Sequence, residues 1–372
     1  MALRQKALNL KPQKKMDYSF LTVVLMLLCY GLIMVFSASS ASAHYQFGDA
    51  YYFIKRQFAW AVIGVGIMLM VSRISYKTIY KYALHLMVVT IIMLILVPLI
   101  GIEAKGAKRW LGFGAFSFQP SEVAKFAIIV FLARSLTVNG EALKTFTKGF
   151  LPYVCIVGLM ALLVFIEPHL SGAVVIAMGG FIVLWAAGAK LSHFMTVGLP
   201  AVAVVVVAMF SAEYRADRFF AFLDPFKYKQ GEGYQIVQSL YAIGSGGFFG
   251  LGLGQSRQKY LYLPEAQNDF VFSIICEELG FIGAALMLLL FVILLWKGIK
   301  IASNAPDRFS KLMVTGIIGL IAVQVIINIA VVTSSMPATG MPLPFFSYGG
   351  TSLVFILAEM GVVLSVSRES EH

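Results

Sequence analysis

Four acidic residues lie in or beside one apolar stretch, LPEAQNDFVFSIICEELGF, at positions 263–281: Glu265, Asp269, Glu277 and Glu278. A carboxylate in apolar surroundings is costly unless it transfers a proton, binds a cation or accepts hydrogen bonds. On a helix that begins near Asp269, Glu277 lies about two turns away and is rotated by roughly 80°, and Glu278 lies on about the opposite face. Both cannot share a cavity with Asp269. We therefore predict that Glu277 and Glu278 form buried hydrogen bonds to neighbouring helices.

Asp269 has two interpretations. It can act as a general base, because a positioned carboxylate can accept a proton from a reacting hydroxyl. It can also be the N-cap of the helix that follows, a place that Asn268 could equally take. The positive end of the helix would lower the pKa of Asp269, whereas burial beside its aromatic neighbours would raise it. Glu265, just before this pair, is predicted to orient the loop or to coordinate a cation.

The elements that must position these acids are membrane helices. Of the 372 residues, 59% are hydrophobic and only 13% are charged, and the mean hydropathy is +0.85. Apolar runs long enough to cross a hydrocarbon core of about 30 Å recur along the whole chain. We predict an all-α polytopic membrane protein with ten transmembrane helices, at about 18–36, 57–72, 82–101, 121–136, 148–166, 170–188, 195–211, 269–296, 311–333 and 350–367.

Basic residues predict the orientation. With a cytoplasmic amino terminus, more than half of the 29 Lys and Arg fall in inside segments, as the positive-inside rule requires. We predict a cytoplasmic basic segment at 1–17, a membrane domain at 18–367 and a cytoplasmic tail at 368–372. Spans seven and eight are joined by a long extracytoplasmic loop, 212–268. This topology accounts for most of the net charge of +11, so nucleic acid is excluded as a partner.

Cations also occur on the predicted outer side, where membrane topology disfavours them next to spans. An anionic partner outside would explain that cost, because Arg and Lys bind phosphate through charge-assisted hydrogen bonds. Alternatively, these side chains reach lipid headgroups, and QPSE at 119–122 only begins a helix with Ser121 as its cap. The cations are Lys105, Lys108, Arg109 and Lys125 before and within the fourth span, and Arg215, Arg218, Arg257 and Lys259 in the long loop.

The connection between the last two spans is SSMPATGMPLPFFSYGGTS, residues 334–352. Its prolines break helices and its glycines permit tight turns. Irregular backbone at membrane depth is tolerated only where it is buried in protein or lines an aqueous cavity. We interpret this segment as a re-entrant cap over such a cavity, with a simple exposed turn as the alternative.

A set of motifs across almost the entire chain resembles the SEDS family, the FtsW, RodA and SpoVE group of bacterial cell-wall polymerases, and is closest to the FtsW and SpoVE branch. Any one motif would be weak, but the set is highly specific. The motifs are RW at 109–110, QPSE at 119–122 with Lys125, LDP at 223–225, GYQIVQS at 233–239, GLGQS at 252–256, LPE at 263–265 with Asp269-Phe270, EELG at 277–280 and PLPFFSYGG at 342–350.

The resemblance implies a ten-span fold and glycosyl transfer from lipid II, usually with a class B penicillin-binding protein. It places the family's catalytic aspartate on Asp269 and its functional basic positions on Arg56, Arg109 and Lys125. Two positions depart from the family pattern. Asn268 stands where Thr is common, which leaves the acid intact. His169 stands where the family's P-D-x-G motif after span five has Asp, so a carboxylate there is not essential in this chain.

We predict a peptidoglycan glycosyltransferase that polymerises lipid II during cell division or sporulation. It would be a multi-pass protein at the outer face of the bacterial cytoplasmic membrane, at the division septum, together with other divisome or sporulation membrane proteins. Asp269 is the predicted general base. The chemistry needs one base, cations for the departing pyrophosphate and positioning. The predicted substrate-binding residues are Arg56, Lys105, Arg109, Gln119, Ser121, Lys125, Arg215, Arg218, Gln235 and Glu265.

Two alternatives remain open at this level. A lipid II flippase would use the same cavity and cations but would need no base. A non-catalytic membrane scaffold would only recruit the penicillin-binding protein. No cofactor is required by the residues, although a divalent cation, Mg²⁺ or Mn²⁺, could assist the pyrophosphate.

Overall fold

The computed structural model describes residues 16–104, 107–113, 116–210, 213–231 and 233–370. Most of these residues are helical, as the apolar runs predict. The helices are α1 (Tyr18–Phe47), α2 (Tyr52–Val71), α3 (Tyr76–Ile100), α4 (Pro120–Asn139), α5 (Leu151–Ile166), α6 (Leu170–Ala186), α7 (Leu191–Phe210), α8 (Glu213–Leu223), α9 (Tyr234–Gly246), α10 (Val271–Ser303), α11 (Arg308–Val332) and α12 (Gly350–Glu369). A 3₁₀ turn, Gly140–Lys144, and a π turn, Phe146–Phe150, connect α4 to α5.

The fold is that of an all-α polytopic membrane protein. Eight helical segments within the described ranges are long and apolar enough to cross a membrane. Each of the ten predicted spans falls on a helix, although α6 and the apolar part of α7 are shorter than the rest. Helices α8 and α9 are additional and belong to the long loop. The all-α polytopic prediction is therefore confirmed, while the cytoplasmic placement of both termini stays a prediction.

A small antiparallel sheet, which the sequence analysis did not predict, lies between α3 and α4. Its strands are β1 (Ile102–Ala104), β2 (Ala107–Phe113) and β3 (Phe116–Phe118), in the order β1-β2-β3. Alternating apolar residues such as Trp110 and Phe118 suit a half-buried sheet. The sheet fixes where Arg109, on β2, and Gln119, directly after β3, enter the bundle.

Close helix contacts depend on small residues, as is common in membrane bundles. A Cβ on Gly361 of α12 would lie 2.6 Å from the Met68 carbonyl oxygen of α2. A Cβ on Gly316 of α11 would lie 2.6 Å from the Ile129 side chain of α4. Larger residues at either glycine would push these helices apart.

Two polar links between α1 and α10 mark the membrane boundaries. Lys297 Nζ donates to Ser19 Oγ at 2.6 Å, and Ser37 Oγ donates to Glu278 Oε2 at 2.5 Å. Ser19 and Ser37 are about 27 Å apart along α1 at 1.5 Å per residue. Neither helix has a charged residue between the links. The hydrocarbon core, about 30 Å thick, therefore fits between these two levels.

Candidate functional site

Asp269 lies in a turn before α10 and is not the helix cap. The helix begins at Val271, with Phe270 in the N-cap position, so the prediction that Asp269 or Asn268 caps it is wrong. The main-chain N–H groups of Asn268 and Asp269 donate to the Glu265 carbonyl at 2.9 and 3.2 Å. These bonds close a turn at residues 265–269, directly before α10 starts.

Glu265 shapes this turn. Its φ of 56° is in the left-handed region, which is uncommon for a residue with a side chain. Its side-chain Oε2 accepts a hydrogen bond from the Asn268 amide. Glu265 therefore orients the turn that presents Asp269, one of the two roles that the sequence left open for it.

Asn328, near the carboxyl end of α11, holds the main chain at Asp269. It is 1% exposed. Its Nδ2 donates to the Asp269 carbonyl at 2.9 Å and to the Met341 carbonyl at 2.6 Å. A single side chain thus connects the Asp269 turn to the 334–349 connection. Sequence reasoning missed Asn328, although a polar residue in an apolar span was a signal.

The 334–349 connection holds the same turn from a second direction. Ser347 Oγ donates to the Asn268 carbonyl at 2.5 Å, and the Tyr348 N–H donates to the Gln267 carbonyl at 2.8 Å. Phe345 and Phe346 are both buried. The irregular backbone from 341 to 347 is therefore mostly buried in protein and is not a simple exposed turn, whereas Ser335 and Gly340 are exposed.

The main chain at Gly340 lies close to the Asp269 carboxylate. Gly340 has a φ of +63°, and a Cβ built on it would lie 3.4 Å from Asp269 Oδ2. The preceding carbonyl, that of Thr339, accepts a hydrogen bond from Ser171 Oγ at the start of α6. The connection therefore joins the Asp269 turn to the α5–α6 connection.

Arg109 is directed at the carboxyl end of α5. Its Nε donates to the Glu167 carbonyl at 3.3 Å, and its Nη2 donates to the Pro168 carbonyl. A guanidinium at a helix C-terminus satisfies carbonyls that lack partners in the helix and stabilises the negative end of the dipole. Arg109 thus places positive charge beside the P-H-L-S-G segment.

His169 lies among the polar residues of α4. Its Nδ1 is 3.2 Å from the Gln119 amide nitrogen, which donates. Burial, together with the positive charge of Arg109, lowers the pKa of His169 to about 4. The imidazole is therefore neutral at neutral pH, in a position where the family commonly has a carboxylate.

Lys125 forms an ion pair within its own helix. Its Nζ lies 2.8 Å from Glu122 Oε1, and both side chains are 9% exposed. Ser352 Oγ, at the start of α12, donates to the other Glu122 oxygen at 3.2 Å. The predicted cation is thus held near the start of α12 by an acid that sequence reasoning treated only as a helix-start residue.

Arg56 lies on the same side as the Asp269 turn. Its guanidinium is 4.2 Å from the centroid of the Tyr52 ring and hydrogen-bonds the Tyr348 side chain. The neighbouring Gln57 is fully buried. Gln57 Nε2 donates to the Ser347 carbonyl at 3.2 Å, and its Oε1 accepts from the Gly349 N–H. The pair Arg56-Gln57 therefore combines an exposed cation with a buried support for the connection.

The remaining predicted residues divide into three groups. Ser121 is buried, has no hydrogen-bond partner among the described residues and is not the cap of α4, because Gln119 holds the N-cap position. Gln235 is partly exposed near the start of α9. Arg215 and Arg218 lie on α8 with side chains outside the described part of the structure, and Lys105 lies outside the described residues altogether.

Glu277 holds the loop that leads to Asp269. Its carboxylate accepts from Ser256 Oγ at 2.5 Å, from the Arg257 N–H at 3.0 Å and from the Gln258 N–H at 3.4 Å. Three donors in one loop therefore converge on one buried acid. The predicted buried hydrogen bonds exist, but their partners are in the loop and not in a neighbouring helix.

Glu278 forms a second buried link. Its Oε1 lies 2.9 Å from Lys259 Nζ, and the two side chains are 0% and 3% exposed. Its Oε2 accepts from Ser37 of α1, as the prediction of a neighbouring helix requires. We call Ser37, Lys259 and Glu278 the buried clamp, because they fasten the loop before Asp269 to α1 and α10.

Glu167 is a buried acid without a hydrogen bond. It is 1% exposed, and neither carboxylate oxygen has a partner among the described residues. Burial raises the pKa of Glu167 to about 8, against the opposing effect of Arg109. Sequence reasoning did not select this residue, and its only signal was an acid at the end of an apolar run.

Glu167→Gln should stabilise the protein increasingly as the pH rises. The unfolded chain loses this proton near the ordinary value of 4.5, whereas the folded protein keeps it up to about 8, so wild-type stability falls across that window. We expect the unfolding temperature of the variant in detergent to exceed that of wild type at pH 8.5 and to match it near pH 5. The exposed Glu141→Gln is the control, and an equal difference at both pH values would contradict the assignment.

The described residues contain no group of three or more His, Cys, Asp or Glu side chains that could hold a metal ion. Of the predicted substrate-binding cations, the structure describes the side chains of Arg56, Arg109 and Lys125.

The fold and this site define a class of protein: a multi-span helical membrane protein that carries Asp269 in a turn before α10, with Arg56 and Lys125 near the starts of α2 and α4 and Arg109 on β2. The family model FTSW_RODA_SPOVE, described as "Cell cycle protein", matches residues 18–372. The chain therefore belongs to the FtsW, RodA and SpoVE family, which confirms the resemblance seen in the motifs.

Two relatives illustrate the similarity. "Stage V sporulation protein E" of Bacillus subtilis is 46% identical over 358 residues, covering 96% of this chain and 98% of the relative. "Probable peptidoglycan glycosyltransferase FtsW" of Geobacter sulfurreducens is 38% identical over 362 residues, covering 97% of each.

Solved structures share the fold. A chain from "Structural coordination of polymerization and crosslinking by a peptidoglycan synthase complex" matches with a TM-score of 0.79 and 29% identity, over 95% of this chain and 98% of that one. Thermus thermophilus "Rod shape determining protein RodA" matches with a TM-score of 0.71 and 27% identity, over 96% and 98%.

Proposed function

We propose that this protein is a peptidoglycan glycosyltransferase that polymerises lipid II at the outer face of the cytoplasmic membrane, at the septum during cell division or sporulation. Membership of the family and the names of its relatives support glycosyltransferase activity. The observation that carries the proposal is the Asp269 turn. A general base needs a fixed position, and the main chain that carries the Asp269 carboxylate is held by Asn328, which donates to the Asp269 carbonyl, and by Ser347, which donates to the Asn268 carbonyl.

Asp269 would take the proton of the acceptor sugar's hydroxyl as that oxygen attacks the anomeric carbon of the donor. The bond from that carbon to the lipid pyrophosphate breaks, and the pyrophosphate departs with its electron pair. Positive charge stabilises this leaving group. Three described cations are candidates for this role: Arg56, which bonds Tyr348, and Arg109 and Lys125, beside the α5–α6 connection. Their bonds to other protein groups limit their movement.

A class B penicillin-binding protein is the proposed partner. One structural neighbour belongs to a peptidoglycan synthase complex that coordinates polymerisation with crosslinking, and this chain shares that neighbour's fold over nearly its full length. A polymerase that makes glycan strands has a natural use for a partner that crosslinks them.

The decisive experiment is lipid II polymerisation by the purified protein with and without a cognate class B penicillin-binding protein. We expect glycan strands when both proteins are present. We expect fewer strands, or none, when either protein is inactive or absent. Lipid scrambling in proteoliposomes without any polymer would favour a flippase. Recruitment of an active partner with no polymer from this chain would favour a scaffold.

Asn328→Leu should lower the turnover rate with little change in the apparent KM for lipid II. The substitution leaves the carbonyls of Asp269 and Met341 without their donor, so the base is less well placed, whereas the cations are untouched. We expect a loss of about tenfold or more, because small misplacements of a reacting group are costly. Gln324→Leu, a buried polar residue one turn earlier on α11, is the control. A rise in KM alone would contradict a positioning role.

A further inference from the structure

Helix α10 is interrupted at Gly280, and the loop after α9 fills the interruption. Gly280 has φ 65° and ψ −161°, which breaks the helical hydrogen-bond pattern. The N–H groups of Leu251 and Gly252 donate to the Glu277 and Glu278 carbonyls, both at 2.9 Å. In return, the Phe281 N–H donates to the Gly247 carbonyl at 3.0 Å. These bonds satisfy polar backbone groups that an apolar environment would otherwise leave unpaired.

This arrangement cannot shift easily, because glycine backbones touch. A Cβ on Gly250 would lie 2.2 Å from the Glu278 carbonyl oxygen, and one on Gly280 would lie 2.4 Å from the Gly250 nitrogen. We call residues 247–253 the aromatic turn. Its backbone is therefore fixed to α10 at one defined height.

The aromatic turn exposes large apolar side chains. Phe248 is 59% exposed and Phe249 is 79% exposed, and the Phe248 ring stacks on Phe281, which is 62% exposed, with centroids 5.6 Å apart. Leu253 is a further exposed member, at 54%. None of residues 233–256 is charged. An apolar patch of this kind on a rigid turn marks an interaction surface.

The position of the aromatic turn along α10 indicates which partner covers its exposed side chains. Glu278, two residues before the interruption, bonds Ser37 at the membrane boundary on the Asp269 side. The patch is also continuous, through Phe281, with the exposed apolar residues Leu289 and Val292 that follow on α10. Those residues lie between the two boundary links, and we infer from their exposure at this level that they face lipid. The aromatic turn therefore begins where the lipid-facing surface of α10 ends.

We propose that the aromatic turn inserts Phe248 and Phe249 into the interfacial region of the leaflet on the Asp269 side. This lipid contact fixes the position, along the membrane normal, of the loop that leads to Asp269. Apolar faces rich in Phe and Leu are buried about 5–10 Å into the boundary between headgroups and acyl chains. Helix α10 rises up to about 15 Å from Gly280 to Val271, so Asp269 stands above this anchor. The lipid contact does not depend on the proposed function. Only the consequence of this contact for catalysis rests on the proposed function.

The test is the depth of a spin label at position 249 in proteoliposomes. Cys29, Cys155 and Cys276 are replaced by Ala, and Phe249→Cys is labelled. Two references use the same background. Leu289→Cys marks lipid, and Tyr45→Cys, 75% exposed and about 12 Å beyond Ser37 along α1, marks water. Leu253→Cys provides a second position in case the label at 249 disturbs folding.

We expect the label at 249 to be more accessible to oxygen than to a water-soluble nickel chelate, as at 289, with and without the class B penicillin-binding protein. Nickel accessibility at both 249 and 253 like that at 45 would overturn the proposal. Protection at these positions only after the partner is added would also overturn it, because the patch would then be a protein-docking surface. Since the readout is accessibility, it does not depend on whether the protein polymerises lipid II.

Discussion

Asp269→Asn is expected to abolish glycan synthesis while leaving the fold and partner binding intact. Asn has nearly the same shape as Asp but cannot accept the proton of the sugar hydroxyl. A positioned general base contributes about 10²–10⁴-fold in rate, so we expect a loss of at least about 100-fold in polymerisation. The bonds that hold the turn use the main chain at Asp269, and the substitution leaves those atoms in place.

The measurement is lipid II polymerisation with the cognate partner, together with the unfolding temperature in detergent and capture of the partner. Asp49→Asn is the matched control, since Asp49 forms an exposed ion pair with Lys55. Equal glycan from Asp269→Asn and wild type would remove Asp269 as the base. Loss of glycan together with loss of the fold would show a structural role instead.

Glu278→Gln should have the second large effect, by leaving the Lys259 ammonium buried without its counter-charge. Removing one partner of a buried ion pair costs about 3–5 kcal/mol, because the other charge stays desolvated. The Lys259 side chain is only 3% exposed. Water therefore cannot replace the Glu278 carboxylate unless the loop moves. We expect a lower unfolding temperature and a strong loss of polymerisation, because this loop leads directly to Asp269.

A double variant separates charge from shape. Lys259→Met together with Glu278→Gln removes both charges, so no ion remains buried and much of the lost stability should return. We expect the double variant to unfold at a higher temperature than Glu278→Gln alone. If the two substitutions were additive, the buried clamp would not be coupled, and its proposed role in holding the loop would fail.

Several features of the site could be predicted because they depend on local sequence. The resemblance selected Asp269, Arg109 and Lys125, and the structure places all three beside connections that meet at Thr339 and Gly340. Whether they act together in catalysis stays a proposal. The prolines and glycines of 334–352 predicted irregular backbone, and the structure has no helix from Thr333 to Gly349.

Other features could not be predicted, because their partners are far apart in the chain. Arg109 was selected as a pyrophosphate-binding cation, and its bonds to carbonyls 58 and 59 positions away were not predicted. Glu277 was assigned to helix packing, yet it binds a loop. The sheet between α3 and α4 escaped prediction because its strands are short and their pairing depends on the neighbouring helices.

The sequence by itself determined that this protein is a multi-span helical membrane protein of the FtsW, RodA and SpoVE family. Hydrophobic runs and family motifs are properties of consecutive residues, so they can be recognised without any information on packing. The tertiary structure alone decided which groups pair with the structural acids of the 263–281 stretch. Glu278 is satisfied by Ser37, 241 positions away, and only the packing of α1 against α10 brings them together; Asp269 keeps its carboxylate in a turn because distant side chains hold its main chain.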